Sequence, residues 1–174
     1  NVKSEQTLTI EVMDYVQEKS LLVGDRNFGT FQMAKEYTEN KTEVLFRLTK
    51  NVAKYLSEGA DLSRNIDKEV VWRPTHDVSK KHGYRRDEEV RGRLIVGHFN
   101  HKGKDVQVSL FTTLDVGNPE EILALYRKRW AFEEDLKILK QRLKLRHIQA
   151  ETKESVQVEI FCRLLAFNIT RGMI

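Results

Sequence analysis

At 174 residues with 40% hydrophobic content, the chain has the length of one domain with a sizeable core. Its single cysteine, Cys162, excludes an internal disulfide framework and fits a reducing compartment. No apolar run approaches the ~20 residues of a membrane span, and the polar start Asn1–Thr7 is no signal peptide, so the expectation is a cytoplasmic protein with no membrane partner. The net charge of +4 and isoelectric point near 9.1 are only mildly basic.

In chain order, the stretch SEQTLTIEVMDYVQEK spaces Leu8, Val12 and Val16 by four, which predicts an amphipathic helix capped by Ser4. The run SLLVGD that follows predicts a buried strand ending in Asp25. A helix over FGTFQMAKEYTEN and a strand over TEVLFRLTK complete a parallel strand–helix–strand unit. From about Lys50 to Val116 the texture becomes β-branched: KEVVWRPT, GRLIVGHF and DVQVSLFTTL read as strands, the last two forming a hairpin across NHKGK. Between them, SKKHGYRRDEEVRG reads as a charged loop. Asn118, Pro119 and Glu121 then mark a helix start with a capping box, and the helical pattern runs to about Leu143. A last helix, ESVQVEIFCRLLAFNITRGMI, is apolar on several sides and is expected to be largely buried, with Cys162 inert in its core.

Charge is concentrated on the long helix. Between Tyr126 and His147 lie eight Lys or Arg and three acids, a surplus of 8 − 3 = +5 that exceeds that of the whole chain. Such a stripe is either a solvated face or the footprint of a polyanion. At about 100° per residue, Leu125, Phe132, Leu136, Leu139 and Leu143 fall within about 60° and form an apolar stripe. Tyr126, Arg129, Glu133 and Lys140 form a second, flanking arc. Ligands of parallel α/β sheets bind at the carboxyl ends of strands, where Asp25 sits. Glu133 near Asp25 would let two carboxylates hold Mg²⁺ or Mn²⁺, with Arg129 and Lys140 on phosphates and Tyr126 hydrogen-bonding one. The plain alternative makes Asp25 a turn residue and Glu133 the partner of a neighbouring cation.

The spacing Tyr126-x2-Arg129-x3-Glu133-x6-Lys140 resembles the YREK signature of the insertion sequence four family of DDE transposases. GDRNFG is similar to that family's second-aspartate motif, and VLFRLTK to the strand after it, with Arg47 at the strand's usual arginine position. The likeness covers residues 5–174. It implies an α/β, ribonuclease H-like fold: a mixed sheet with flanking helices, incomplete at its N-terminus and interrupted by a β-rich insertion. Residues 1–50 would be the partial core, 51–116 the insertion, and 117–174 the C-terminal helices carrying the signature.

The resemblance further implies two-metal phosphoryl transfer: nicking at transposon ends, then attack by the freed 3′-hydroxyl. Asp25 and Glu133 become metal ligands, while Tyr126, Arg129, Lys140 and Arg47 become DNA contacts. Partners would be double-stranded DNA, as transposon end and target, and a second copy in a synaptic dimer, in a bacterial cytoplasm at the nucleoid. The family also requires an upstream Asp that is not evident; Asp14, on the first helix, has the wrong context, so a fragment inactive by itself is expected. Trp72 matches an aromatic that relatives stack on a flipped base, against the commoner reading of a core tryptophan. Arg85, Arg86 and Arg91 read as a solvated loop before phosphate contacts. Two rivals remain: a DNA-binding remnant or regulator without chemistry, and a ribonuclease H-fold nuclease outside transposition.

Overall fold

Alternation of side chains decides the architecture. In β1 (Leu21–Gly24) and β2 (Glu43–Arg47), Leu22, Val44 and Phe46 point to one side of the sheet while Leu21, Val23 and Leu45 point to the other, so both faces carry apolar groups that need cover. The computed structural model describes residues 4–101, 103–142 and 147–172. Its five strands form one mixed sheet in the order β1-β2-β5-β4-β3, with β3 at Ile66–Trp72, β4 at Val90–His101 and β5 at Lys104–Thr112. β1 and β2 are parallel, in register from Leu21↔Glu43 to Gly24↔Phe46, and the other pairings are antiparallel.

Helix α1 (Glu5–Glu11) starts where Ser4 Oγ accepts the Thr7 N–H at 3.1 Å and gives way to a 3₁₀ turn at Met13–Tyr15. Helix α2 (Phe31–Glu39) forms the crossover between β1 and β2 and buries Phe31, Met33, Ala34 and Tyr37. The Tyr37 hydroxyl donates to Thr9 O at 2.9 Å, tying α1 to it. One core cluster joins α2 and α3 (Lys50–Ser57) to Val44, Phe46, Leu94, Val96 and Phe111. The opposite cluster joins Leu45, Ile95, Val108 and Leu110 to Ile122 and Tyr126 of α5 (Pro119–Arg142).

Three expectations are corrected. The segment read as a charged loop, residues 79–92, opens on the second half of helix α4 (His76–His82), which is capped by Thr75 and ended by Gly83 at φ 77°. At seven residues and with no buried position it has no periodicity to read; only the cap and stop residues mark it. The segment after Lys50 is not β-rich throughout, since α3 and α4 lie in it, and β5 pairs directly with β2, so its strands extend the same sheet as Asp25's. Helix α6 (Lys153–Gly172) leaves Val158, Phe161, Leu165 and Ile169 exposed, and Cys162 with them. Apolar composition shows that a face can be buried; a neighbouring element has to cover it.

By contact density the chain divides into Asn1–Tyr126 and Arg127–Ile174. Within the second unit, Thr152 and Ser155 cap α6 reciprocally, and Glu159 accepts the N–H groups of Gln149 and Ala150 while pairing with Arg163.

Candidate catalytic edge and cationic helix

The carboxyl end of β1 is built by two glycines around one aspartate. A Cβ on Gly24 would lie 2.6 Å from Phe28 Cβ and 2.8 Å from Phe46 Cδ1; one on Gly29 would lie 2.2 Å from Arg47 O. Neither position has room for a side chain, so the turn leaving β1 lies directly against β2. Within it Asp25 forms an Asx turn: its Oδ1 accepts the Asn27 N–H at 2.8 Å, and its carbonyl accepts those of Phe28 and Gly29 at 3.1 and 3.2 Å. Asp25 is half-buried, and Oδ2 has no partner among the described residues, which leaves a hard oxygen donor fixed at a strand end. That is the kind of ligand a divalent cation such as Mg²⁺ takes. From α1, Gln6 Nε2 donates to Asn27 O and Glu5 accepts from Asn27 Nδ2, bracing the turn from outside.

Arg47 stands in the row next to Asp25, since Gly24 is in register with Phe46, and it is half-buried. It follows Leu45 by two positions on β2, so it shares the face on which Ile122 and Tyr126 pack.

Helix α5 begins as its sequence predicts. Asn118 Oδ1 accepts the Glu121 N–H at 2.9 Å, and Glu121 Oε2 accepts the Asn118 N–H at 2.9 Å. Sequence reading missed the residue that holds this start in place. Arg93, on β4, makes a two-pronged pair with Asp67 of β3 (3.1 and 2.8 Å) and donates from Nη1 to Gly117 O at 2.9 Å. The hydrogen bonds to Asp67 hold its guanidinium above its already high ordinary range. Gly117, at φ 91°, turns the chain into the helix. An alternating strand with one arginine carries no signal for this role; only the register Glu69↔Arg93 and Arg93↔Thr112 exposes it.

The site residues expected from sequence are placed as follows. Tyr126 is wholly buried, packed with Ile122 one turn earlier, and so lies in the core and not on a face open to phosphate. Arg129 is half-buried and Lys140 exposed, both on α5. Glu133 lies on the same helix, but its side chain is outside the described set, as are those of Trp130, Phe132, Leu136 and Leu139 and all of Leu143. Trp72 is 3% exposed, its ring in edge contact with Phe111 (4.9 Å between centroids) and Phe31 (6.3 Å). It lies four residues along β3 from Lys68, the residue in the Gly24 row, and away from the Asp25 end. A buried ring there is not free to receive a base. Asp14 is exposed in the 3₁₀ turn, and among the described residues no three Asp, Glu, His or Cys side chains converge.

The family description "Transposase DDE domain" matches residues 2–169. The chain belongs to that family. No individual curated protein matches it. The transposase domain's α/β architecture, a mixed five-stranded sheet flanked by helices, is consistent with the ribonuclease H-like fold. Membership of this family places the domain among phosphoryl-transfer enzymes of DNA transposition, a chemistry that generally draws on divalent metal ions. No helix among the described residues is long and apolar enough to cross a membrane.

Proposed function

We propose that this transposase domain belongs to the insertion sequence four group and serves metal-dependent nicking and strand transfer at transposon ends, with Asp25 and Glu133 as two of its acidic metal ligands. The observation that carries this reading is the burial of Tyr126. Tyr126 packs with Leu45, Leu110 and Ile122, on the sheet face that Arg47 shares by strand alternation, which supports a signature helix that starts beside that face. In sequence Glu133 follows Tyr126 by seven residues, about two helical turns, as the signature spacing has it. Arg129 lies between them, one turn on from Tyr126.

Tyr126 is then a positioning residue that sets the rotation of the helix, and Arg129, Lys140 and Arg47 are the proposed phosphate contacts. Bound Mg²⁺ or Mn²⁺ would neutralise phosphate charge and lower the pKa of a coordinated water. Asp25 contributes a preorganised donor, its Asx turn and flanking glycines holding the carboxylate before any ligand arrives. The domain is read as acting on duplex DNA, transposon end and target, within a synaptic dimer. The family's first acid is not assigned here to any residue, so the test uses the complete transposase. End-containing DNA should be nicked only with Mg²⁺ or Mn²⁺, and Asp25→Asn and Glu133→Gln should each abolish nicking while leaving DNA binding in place. Nicking that survives both substitutions would refute the assignment; salt-sensitive binding with no nicking under any metal would favour a non-catalytic DNA-binding protein.

A further inference from the structure

Within Asn1–Tyr126, Lys35, Lys41, Lys68, Arg73, Arg91 and Arg93 each meet a carboxylate oxygen within 3.2 Å. One stretch departs from this pairing. Residues 80–86, Lys-Lys-His-Gly-Tyr-Arg-Arg, hold four permanent cations, one histidine and no acid. Of the four, Arg85 is paired, its Nε donating to Asp87 Oδ1 at 3.0 Å. Lys80, Lys81 and Arg86 are exposed and meet no acid among the described residues.

The backbone that carries these three is fixed. Gly83, at φ 77°, ends α4 with its N–H on Ser79 O at 2.8 Å. The half-buried Tyr84 ring meets Phe31 edge-on at 5.4 Å and stacks with His82 at 6.1 Å, while its hydroxyl donates to Glu36 Oε1 at 2.8 Å. The Arg85 N–H donates to Glu88 Oε1 at 2.8 Å, and Glu88 Oε2 is 3.3 Å from Lys35 Nζ. The stretch is therefore tied down through its aromatic ring and its acidic neighbour, and its unpaired cations are left facing solvent. Its place follows from Phe31. That residue opens α2 two positions after Gly29, whose N–H donates to Asp25 O at 3.2 Å. The stretch is thus anchored on the segment that leaves the Asp25 turn.

We infer that residues 80–86 clamp DNA backbone: Lys80, Lys81 and Arg86 contact phosphates of the duplex that flanks the phosphodiester held at the Asp25 edge. Duplex DNA presents one negative charge per ~1.7 Å of its axis, so a fixed group of unneutralised cations beside the site releases counterions when the duplex lies across it. The transposase family makes DNA the polyanion at hand. Lysine and arginine on phosphates position a duplex without reading its bases, so the contact is independent of sequence. This contact rests on the reading of the Asp25 edge as the place of chemistry, and it adds a binding surface on an element outside the signature helix.

The test measures binding of the full chain and of Lys80→Ala/Lys81→Ala/Arg86→Ala to two duplexes of equal length, one containing a transposon end and one unrelated, across a salt series. The triple variant should flatten the slope of log K against log salt by about 0.9 for each of three phosphates, about 2.7 in all, equally on both duplexes. Its melting temperature should not fall, because none of the three side chains has a hydrogen bond or ion pair among the described residues. Lys80→Arg/Lys81→Arg/Arg86→Lys should restore the slope, which separates lost charge from a damaged fold. If the wild-type chain binds and the alanine variant keeps its slope, or changes it on one duplex only, the clamp is refuted and the proposed function stands. A slope that the charge-keeping variant does not restore also refutes it. If the wild-type chain binds neither duplex, both fall.

Discussion

Replacing Gly29 by Ala sets two opposing effects against each other, and the structure decides between them. Gly29 does not have a positive φ, so alanine is conformationally allowed. On chain entropy alone it would stabilise the fold by about 0.4–1 kcal/mol. Its Cβ, however, would lie 2.2 Å from Arg47 O, 3.1 Å from Arg47 C and 3.4 Å from Leu48 Cα. Reaching even a tight 3.4 Å from that oxygen needs a shift of 3.4 − 2.2 = 1.2 Å. The obstacle is backbone: Arg47 is held in the sheet opposite Leu110, so the Asp25 turn has to move. Overpacking of this kind costs about 1–3 kcal/mol, so the net effect is a loss of about 1–2 kcal/mol, or roughly 2–8 °C in melting temperature. Differential scanning calorimetry reads the first part. Because Gly29 N–H donates to Asp25 O, the carboxylate moves with the turn, and nicking by the complete transposase should fall further than the lost stability explains. A Gly29→Ala protein that melts at or above wild type would show that the turn does not lie against β2 as described.

Other perturbations probe other parts of the site. Trp72→Ala should cost about 3–5 kcal/mol as a buried aromatic, whereas Trp72→Phe should leave DNA affinity unchanged once the folded fraction is corrected for; a specific loss of strand transfer in Trp72→Phe would restore the base-stacking role. Arg93→Lys keeps the charge but loses the fork to Asp67 and the bond to Gly117 O, and urea unfolding should show a loss of about 1–3 kcal/mol; no change in midpoint would remove Arg93 from the support of α5. Burial first, and then the hydrogen bond to Glu36 at 2.8 Å, push the Tyr84 phenol above its ordinary value near 10. The folded state thus retains a proton that the unfolded chain releases, and stability should fall as pH rises above about 10. Tyr84→Phe should show a shallower alkaline decline in thermal melts; equal slopes would contradict the burial of this ring.

The sequence makes legible what depends on neighbours in the chain. Ser4, Asn118 and Glu121 act as caps because a cap is a local contract between side chain and backbone within three residues. The parallel β1–α2–β2 unit and the β4–β5 hairpin follow from apolar runs and turn residues. What it hid depends on partners far along the chain. Helical geometry puts Tyr126 on an arc beside the leucine stripe, but only the Leu45–Leu110 face decides that this arc is the buried one. Trp72 carried two readings, and the neighbouring rings of Phe31 and Phe111 place it in the core. Arg93's fork joins residues 67 and 117, and no window of sequence spans both. Apolarity in α6 predicted burial that the described neighbours do not supply.

Replacing Mg²⁺ with Fe²⁺ and cutting the backbone with locally generated hydroxyl radicals gives the most direct test of a cation shared by Asp25 and Glu133. The account predicts cleavage clustered at two places, around residue 25 and around residue 133, both suppressed by excess Mg²⁺ and both lost in Asp25→Asn. Cleavage at only one of these places, or cuts at residue 133 that persist in Asp25→Asn, would contradict it.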